Sequence, residues 1–72
     1  MSSEDAAPRL TPREHECARL VAQGMTAQQI GRVLVLSPRT VEKHIACARR
    51  KVGVPNSAAL ASYVIKRFAE SA

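Results

Sequence analysis

Cationic side chains are concentrated between residues 39 and 51, and a single acidic residue, Glu42, lies among them. The five cations are Arg39, Lys43, Arg49, Arg50 and Lys51. The whole chain carries a formal net charge of +5. A positive field clustered on one segment attracts polyanions such as nucleic acids, acidic membranes or acidic proteins. The segment therefore predicts a binding surface for a negatively charged partner.

Residue types that could support catalysis or metal binding occur in two places, around His15 and around His44. Neighbouring residues on a helix point in different directions, so Glu14 and Glu16 cannot converge with His15, and a chain of 72 residues has no room for an enclosed pocket. Cys17 likewise diverges from His15, which argues against a structural zinc. We expect no enzyme activity, no cofactor and no metal. Both cysteines, Cys17 and Cys47, are expected to be free thiols in a reducing compartment.

The cationic segment is predicted to form a helix over residues 38–52. Ser37 is a good N-cap, Pro38 suits the first helical position, and Gly53 supplies the left-handed residue that ends helices. At helical spacing one side is apolar, with Val41, Ile45, Ala48 and Val52. The other side carries Arg39, Glu42, Lys43, Ala46 and Arg50. This outer face has the mixture expected of a helix in a DNA major groove, and the alternative is a merely solvated charged face.

Two predicted helices precede this segment. The capping box of Thr11 and Glu14 starts a helix over 12–23, closed by Gly24, with a buried face of Cys17, Leu20 and Val21. A second box, Thr26 with Gln29, starts a short helix over 27–34 that buries Ile30 and Leu34. Gly31 inside it costs about 1 kcal/mol relative to alanine, which is explained if another helix crosses closely there. The three-residue connection to the cationic helix favours a helix-turn-helix.

A fourth helix is predicted from Asn56 or Ser57 to Glu70. Its core face is Leu60, Ala61, Val64 and Phe68. A second stripe consists of Ala58, Ser62, Ile65 and Ala69. Small residues there would let a second copy approach closely and form a dimer, or they simply raise helix propensity on an exposed face.

Composition favours an all-α domain over residues 10–70. Phe68 and Tyr63 are the only aromatic residues, so the core must be aliphatic and rich in alanine. Residues 1–9 lack periodicity and are predicted to be a disordered tail. No segment has the pattern of a signal peptide or of a membrane span, and we expect a cytoplasmic protein without a membrane partner.

Five ordered motifs resemble the DNA-binding domain of LuxR/FixJ (GerE-like) transcription regulators. They are LTPRE at 10–14, QG at 23–24, TxxxI at 26–30, SPRTVEKHI at 37–45 and KVGV at 51–54. As an ordered set they are highly specific, whereas TPRE alone means little. The resemblance implies a four-helix domain whose third helix enters the major groove of double-stranded DNA. It also implies that the fourth helix pairs two subunits on a two-fold site.

The resemblance carries contact roles onto particular positions. Base contacts are implied for Glu42, Lys43 and Ala46, and the outer face adds Arg39. Phosphate contacts are implied for Thr26, Thr40, His44 and Lys51, to which we add Ser37 and Arg50. From their charge, the cations of the segment, Arg49 included, are also expected to meet phosphates and to supply most of the affinity. Many relatives have a basic residue at the position of Glu42, and a carboxylate can accept a hydrogen bond from cytosine. We therefore expect Glu42 to prefer a cytosine and Ala46 at most to touch a thymine methyl.

Two side chains on this helix have other possible roles. His44 could be a pH switch, or a neutral contact to phosphate or backbone. Cys47 could be a redox-sensitive thiol, or a small apolar filler. At the level of function, the alternative is a protein-interaction module, similar to region 4 of sigma factors, that docks RNA polymerase or an acidic partner.

Overall fold

The computed structural model describes residues 9–71, and the side chains of residues 9–67. Within these residues the chain forms four helices and no strand, as predicted. The helices are α1 (Pro12–Ala22), α2 (Ala27–Leu34), α3 (Pro38–Val52) and α4 (Ser57–Ser71). The predicted tail at 1–9 lies outside the described residues except for Arg9, which is outside the helices.

Side-chain caps start all four helices close to the predicted positions. Thr11 Oγ1 accepts from the Glu14 amide at 3.2 Å, and Glu14 Oε1 accepts from the Thr11 amide at 2.9 Å. Thr26 and Gln29 form the same reciprocal box at α2. Ser37 Oγ accepts from the amide of residue 40 at α3, and Asn56 Oδ1 accepts from the amide of residue 59 at α4. These bonds satisfy donors that helix geometry leaves without partners.

The helix ends are less uniform. Gly24 and Gly53 have left-handed φ values of 89° and 85°, as their positions after α1 and α3 predicted. The helix α1 ends at Ala22, one residue earlier than predicted. At the end of α2 the left-handed residue is Val35, with φ 58°. Nothing in the sequence predicts this left-handed residue, because a β-branched side chain is disfavoured in that conformation.

All four helices contribute to the core, and α2 packs mainly against α3. Its buried side chains are Cys17, Ala18, Ile30, Val41, Ile45, Ala48, Leu60 and Val64. On α1 the predicted face is rotated slightly, because Ala18 is buried whereas Leu20 and Val21 are half-buried. Leu34 and Val52 are also half-buried. The Phe68 side chain lies outside the described side chains.

The close approach expected at Gly31 exists, but its partner is not another helix. A Cβ on Gly31 would overlap the carbonyl oxygen of Leu36, in the turn that follows α2. The Leu36 amide donates to the Gly31 carbonyl at 2.8 Å. The turn therefore folds back onto α2 so closely that only glycine fits, which fixes where α3 begins.

None of the described helices is long and apolar enough to cross a bilayer.

Candidate nucleic-acid interface

The outer face of α3 is open to solvent. Its predicted members Arg39, Glu42, Lys43, Ala46 and Arg50 are all exposed. On the opposite side Val41 and Ala48 are fully buried and Ile45 is 7% exposed. The apolar side thus anchors α3 to the core and leaves the charged side free, as its periodicity predicted.

Four of the predicted contact residues meet in one place. Arg39, Thr40, Glu42 and Lys43 line a shallow surface groove of about 490 Å³ on the first two turns of α3. Cations, a hydroxyl and a carboxylate therefore converge on one surface. These groups can donate to phosphate and base oxygens and can accept from base amino groups.

The hydroxyl groups near the α3 N-terminus are already partly engaged. Ser37 Oγ accepts from the Thr40 amide and donates to Thr40 Oγ1 at 3.0 Å. The hydrogen of the Thr40 hydroxyl thus remains available for an external acceptor. Thr26 is exposed at the start of α2, and His44 is half-buried on α3.

The three cations at the end of α3 have different surroundings. Lys51 Nζ lies 2.8 Å from Glu14 Oε1 of α1. Arg50 Nη2 donates to Cys47 Sγ at 3.4 Å. Arg49 is half-buried, and its Nε has no hydrogen-bond partner among the described residues. A phosphate contact by Lys51 would thus have to compete with an internal ion pair, and this assignment stays a prediction.

Glu14 is a structural residue that sequence reasoning only half identified. Its capping role follows from the TPRE motif, but its side chain is also buried and faces Lys51. The hydrogen bond from Lys51 lowers the pKa of Glu14, the bonds from Thr11 act in the same direction, and burial opposes them. Glu14 is therefore ionised near neutral pH and ties α1 to the end of α3.

The predicted dimer stripe is partly described. Ala58 and Ser62 are exposed on α4, and Ile65 is 56% exposed. The Ala69 side chain lies outside the described side chains. An exposed isoleucine beside small residues leaves apolar surface uncovered on this helix.

The two cysteines are free thiols in different surroundings. Cys17 is fully buried, and burial raises the pKa of its thiol. Cys47 is half-buried, and neither forms a disulfide. Across the described part of the chain, no three side chains of histidine, cysteine, aspartate or glutamate are grouped to hold a metal ion.

Comparison with known proteins agrees with this geometry. Residues 8–64 match the family described as "Bacterial regulatory proteins, luxR family". The chain is 48% identical over 48 residues to the transcriptional activator protein BjaR1 of Bradyrhizobium diazoefficiens, covering 67% of this chain and 20% of that protein. It is 46% identical over 52 residues to the transcriptional regulatory protein UhpA of Escherichia coli, covering 72% of this chain and 26% of that protein.

A third relative is the putative HTH-type transcriptional regulator Rv0890c of Mycobacterium tuberculosis, 36% identical over 62 residues, or 86% of this chain and 7% of that protein. The chain thus spans at most about a quarter of the length of these relatives. The family match covers α1, α2, α3 and the first half of α4. The chain therefore belongs to the luxR family of bacterial regulatory proteins, and it carries the helix-turn-helix DNA-binding domain of that family.

Proposed function

We propose that residues 10–70 bind double-stranded DNA sequence-specifically, as the DNA-targeting part of a transcription regulator, with α3 in the major groove. The observation that carries the proposal is the orientation of α3, whose cationic face is exposed while Val41 and Ala48 are fully buried. A major groove about 12 Å wide admits one α-helix, and an exposed cationic face supplies both phosphate and base contacts.

The residues divide into two groups by what they contact. Those proposed to contact bases are Arg39, Glu42, Lys43 and Ala46. Those proposed to contact phosphates are Thr26, Ser37, Thr40, His44, Arg50 and Lys51. Phosphate contacts fix the position of the helix and contribute most of the affinity, whereas the base contacts select the sequence.

The salt dependence of binding tests the phosphate contacts. If each of two subunits neutralises about four phosphates, log K falls with log salt with a slope of roughly −7. The measurement is a fluorescence-anisotropy titration of labelled duplex at several salt concentrations. A slope near zero, or no binding of duplex at all, contradicts DNA binding and favours a module that docks RNA polymerase or another protein.

Glu42 is proposed to determine specificity by accepting a hydrogen bond from the amino group of a cytosine. A site is first selected from random duplexes, and each half-site position is then altered in turn. The variant Glu42→Ala should lose discrimination at one cytosine by about 1–3 kcal/mol while keeping its preferences elsewhere. The matched control is Glu16→Ala on α1, which should keep every preference. If Glu42→Ala keeps the wild-type base preference at every position of the half-site, Glu42 does not read a cytosine.

Dimerisation through α4 is also proposed, with Ala58, Ser62, Ile65 and Ala69 at the contact. The exposed Ile65 supports it, because a second copy would cover that apolar surface. Two subunits related by a two-fold axis match a two-fold DNA site.

A further inference from the structure

A second groove lies beside the outer face of α3. It has a volume of about 310 Å³ and runs along one side of α3 past the starts of α2 and α4. Glu42 and Arg49 line it from α3, Thr26 and Ala27 from the start of α2, and Ser57 from the start of α4. The rest of its lining is apolar and comes from α1, the turn after α1, and α3. The groove therefore continues from a proposed base-contacting residue towards the C-terminal half of α3.

Arg49 is the cation in this groove. It is half-buried, and its Nε is buried without a hydrogen-bond partner. Its guanidinium makes no hydrogen bond or ion pair within the residues that the structure describes, whereas Lys51 pairs with Glu14 and Arg50 donates to Cys47. A partly desolvated guanidinium without an acceptor is costly, so its charge is available for an anion from outside the chain.

Two helix starts face the same groove. Ala27 is the first residue of α2 and Ser57 is the first residue of α4. The side-chain caps of these helices engage the amides of Gln29 and Ala59, so they leave the first amides of each helix without an acceptor inside the helix. The starts of the two helices add partial positive charge where the Arg49 guanidinium already lies.

We propose that this groove binds one phosphate of the DNA backbone, with Arg49 as its main ligand and the starts of α2 and α4 as additional donors. The inference rests on the proposed DNA binding. A backbone phosphate is favoured over a free anion because Glu42 lines the same groove and belongs to the proposed base-reading face. Glu42 and Arg49 are seven residues apart in sequence, which places them about 10 Å apart along the helix axis. The carboxylate can therefore contact a base while the guanidinium contacts the backbone.

The first test compares Arg49→Met with wild type, since methionine keeps an aliphatic stem but removes the charge. Duplex affinity should fall about tenfold, and the slope of log K against log salt should become less steep by about 1 per subunit. The affinity should fall by the same factor for selected and for random duplexes, because a phosphate contact carries no sequence information. The control Lys66→Met removes one exposed charge from α4 and should change the slope by less than half as much. If Arg49→Met unfolds, Arg49→Gln removes the same charge and makes the same prediction.

The second test locates the phosphate. Neutral methylphosphonates replace single phosphates of the selected site one at a time. At one position in each half-site, the methylphosphonate should weaken DNA binding by wild type without further weakening DNA binding by Arg49→Met. The groove assignment is wrong, and DNA binding stands, if wild type and Arg49→Met have the same steep salt slope. The methylphosphonates would then lower the affinity of Arg49→Met by the same factor as that of wild type at every position. If wild type itself does not bind duplex, DNA binding fails.

Discussion

Individual side chains of the same charge have different roles on α3 because their surroundings differ. Lys51 is turned towards Glu14, Arg50 towards Cys47, and Arg49 lies in a groove without an internal acceptor. Arg39 and Lys43 project from the outer face. The number of charges along the segment does not distinguish these five residues, whereas the contacts show which of them already have a partner inside the chain.

Val35 is a residue whose conformation conflicts with its type. Its φ of 58° is left-handed, and its side chain is 87% exposed, so little packing compensates for the strain. Asparagine tolerates this conformation better than a β-branched residue does. We expect Val35→Asn to raise the free energy of unfolding by about 1 kcal/mol, which raises the Tm by about 4–8 °C in a domain of this size.

Thermal unfolding followed by circular dichroism measures this change. The matched control is Val33→Asn, because Val33 is 57% exposed on α2 and valine and asparagine have similar helix propensities. That control should leave the Tm nearly unchanged. An equal or lower Tm for Val35→Asn would show that the left-handed valine is not strained.

At the scale of elements, a partly buried ion pair joins α1 to the end of α3. Glu14 Oε1 accepts from Lys51 Nζ at 2.8 Å and from the Thr11 amide at 2.9 Å. The same carboxylate thus caps α1 and fixes α1 against α3. Because Lys51 remains partly exposed, the burial cost of the pair stays moderate.

This pair predicts a pH dependence of stability. The pKa of Glu14 is lower in the folded chain than its ordinary value of 4.5, so its contribution is fully present above that value and is lost as the pH falls through the folded pKa. Glu14→Gln should lower the free energy of unfolding by about 1 kcal/mol at pH 7 and remove this acid-dependent loss.

Urea unfolding between pH 3 and pH 7 provides the measurement. The control is Glu16→Gln, which removes the exposed partner of Arg13 and should have a smaller effect at every pH. The role of Glu14 is refuted if Glu14→Gln and wild type lose stability in parallel as the pH falls.

At the scale of the whole molecule, the exposed apolar side chain on α4 predicts that a substitution there changes dimerisation. Ile65→Gln should weaken pairing of the two subunits, because it replaces the large apolar side chain of the proposed contact by a polar one. Binding to a site with two half-sites should lose cooperativity, while binding to one half-site stays within about twofold.

Analytical ultracentrifugation and titration of one-half-site and two-half-site duplexes distinguish these effects. Val33→Gln is the matched control, because Val33 and Ile65 are 57% and 56% exposed and Val33 lies on α2. Equal cooperativity in Ile65→Gln and wild type would place the dimer contact elsewhere.

The sequence alone determined the local structure of this protein and the direction in which α3 faces. Caps and glycine stops act between residues three or four positions apart, so Thr11, Thr26 and Ser37 predicted the helix starts directly. Periodicity likewise separated the buried side of α3 from its exposed side. The ordered motifs also predicted the family, which the match over residues 8–64 confirmed.

Only the tertiary structure decided how distant residues combine. Glu14 and Lys51 are 37 positions apart, and their pairing depends on how α1 and α3 pack. The groove around Arg49 likewise forms only where residues of all four helices meet. The burial of Ala18 in place of Leu20 depends on a small rotation of α1. Such contacts arise from the packing of whole helices, and packing adds constraints that no local spacing in the sequence contains.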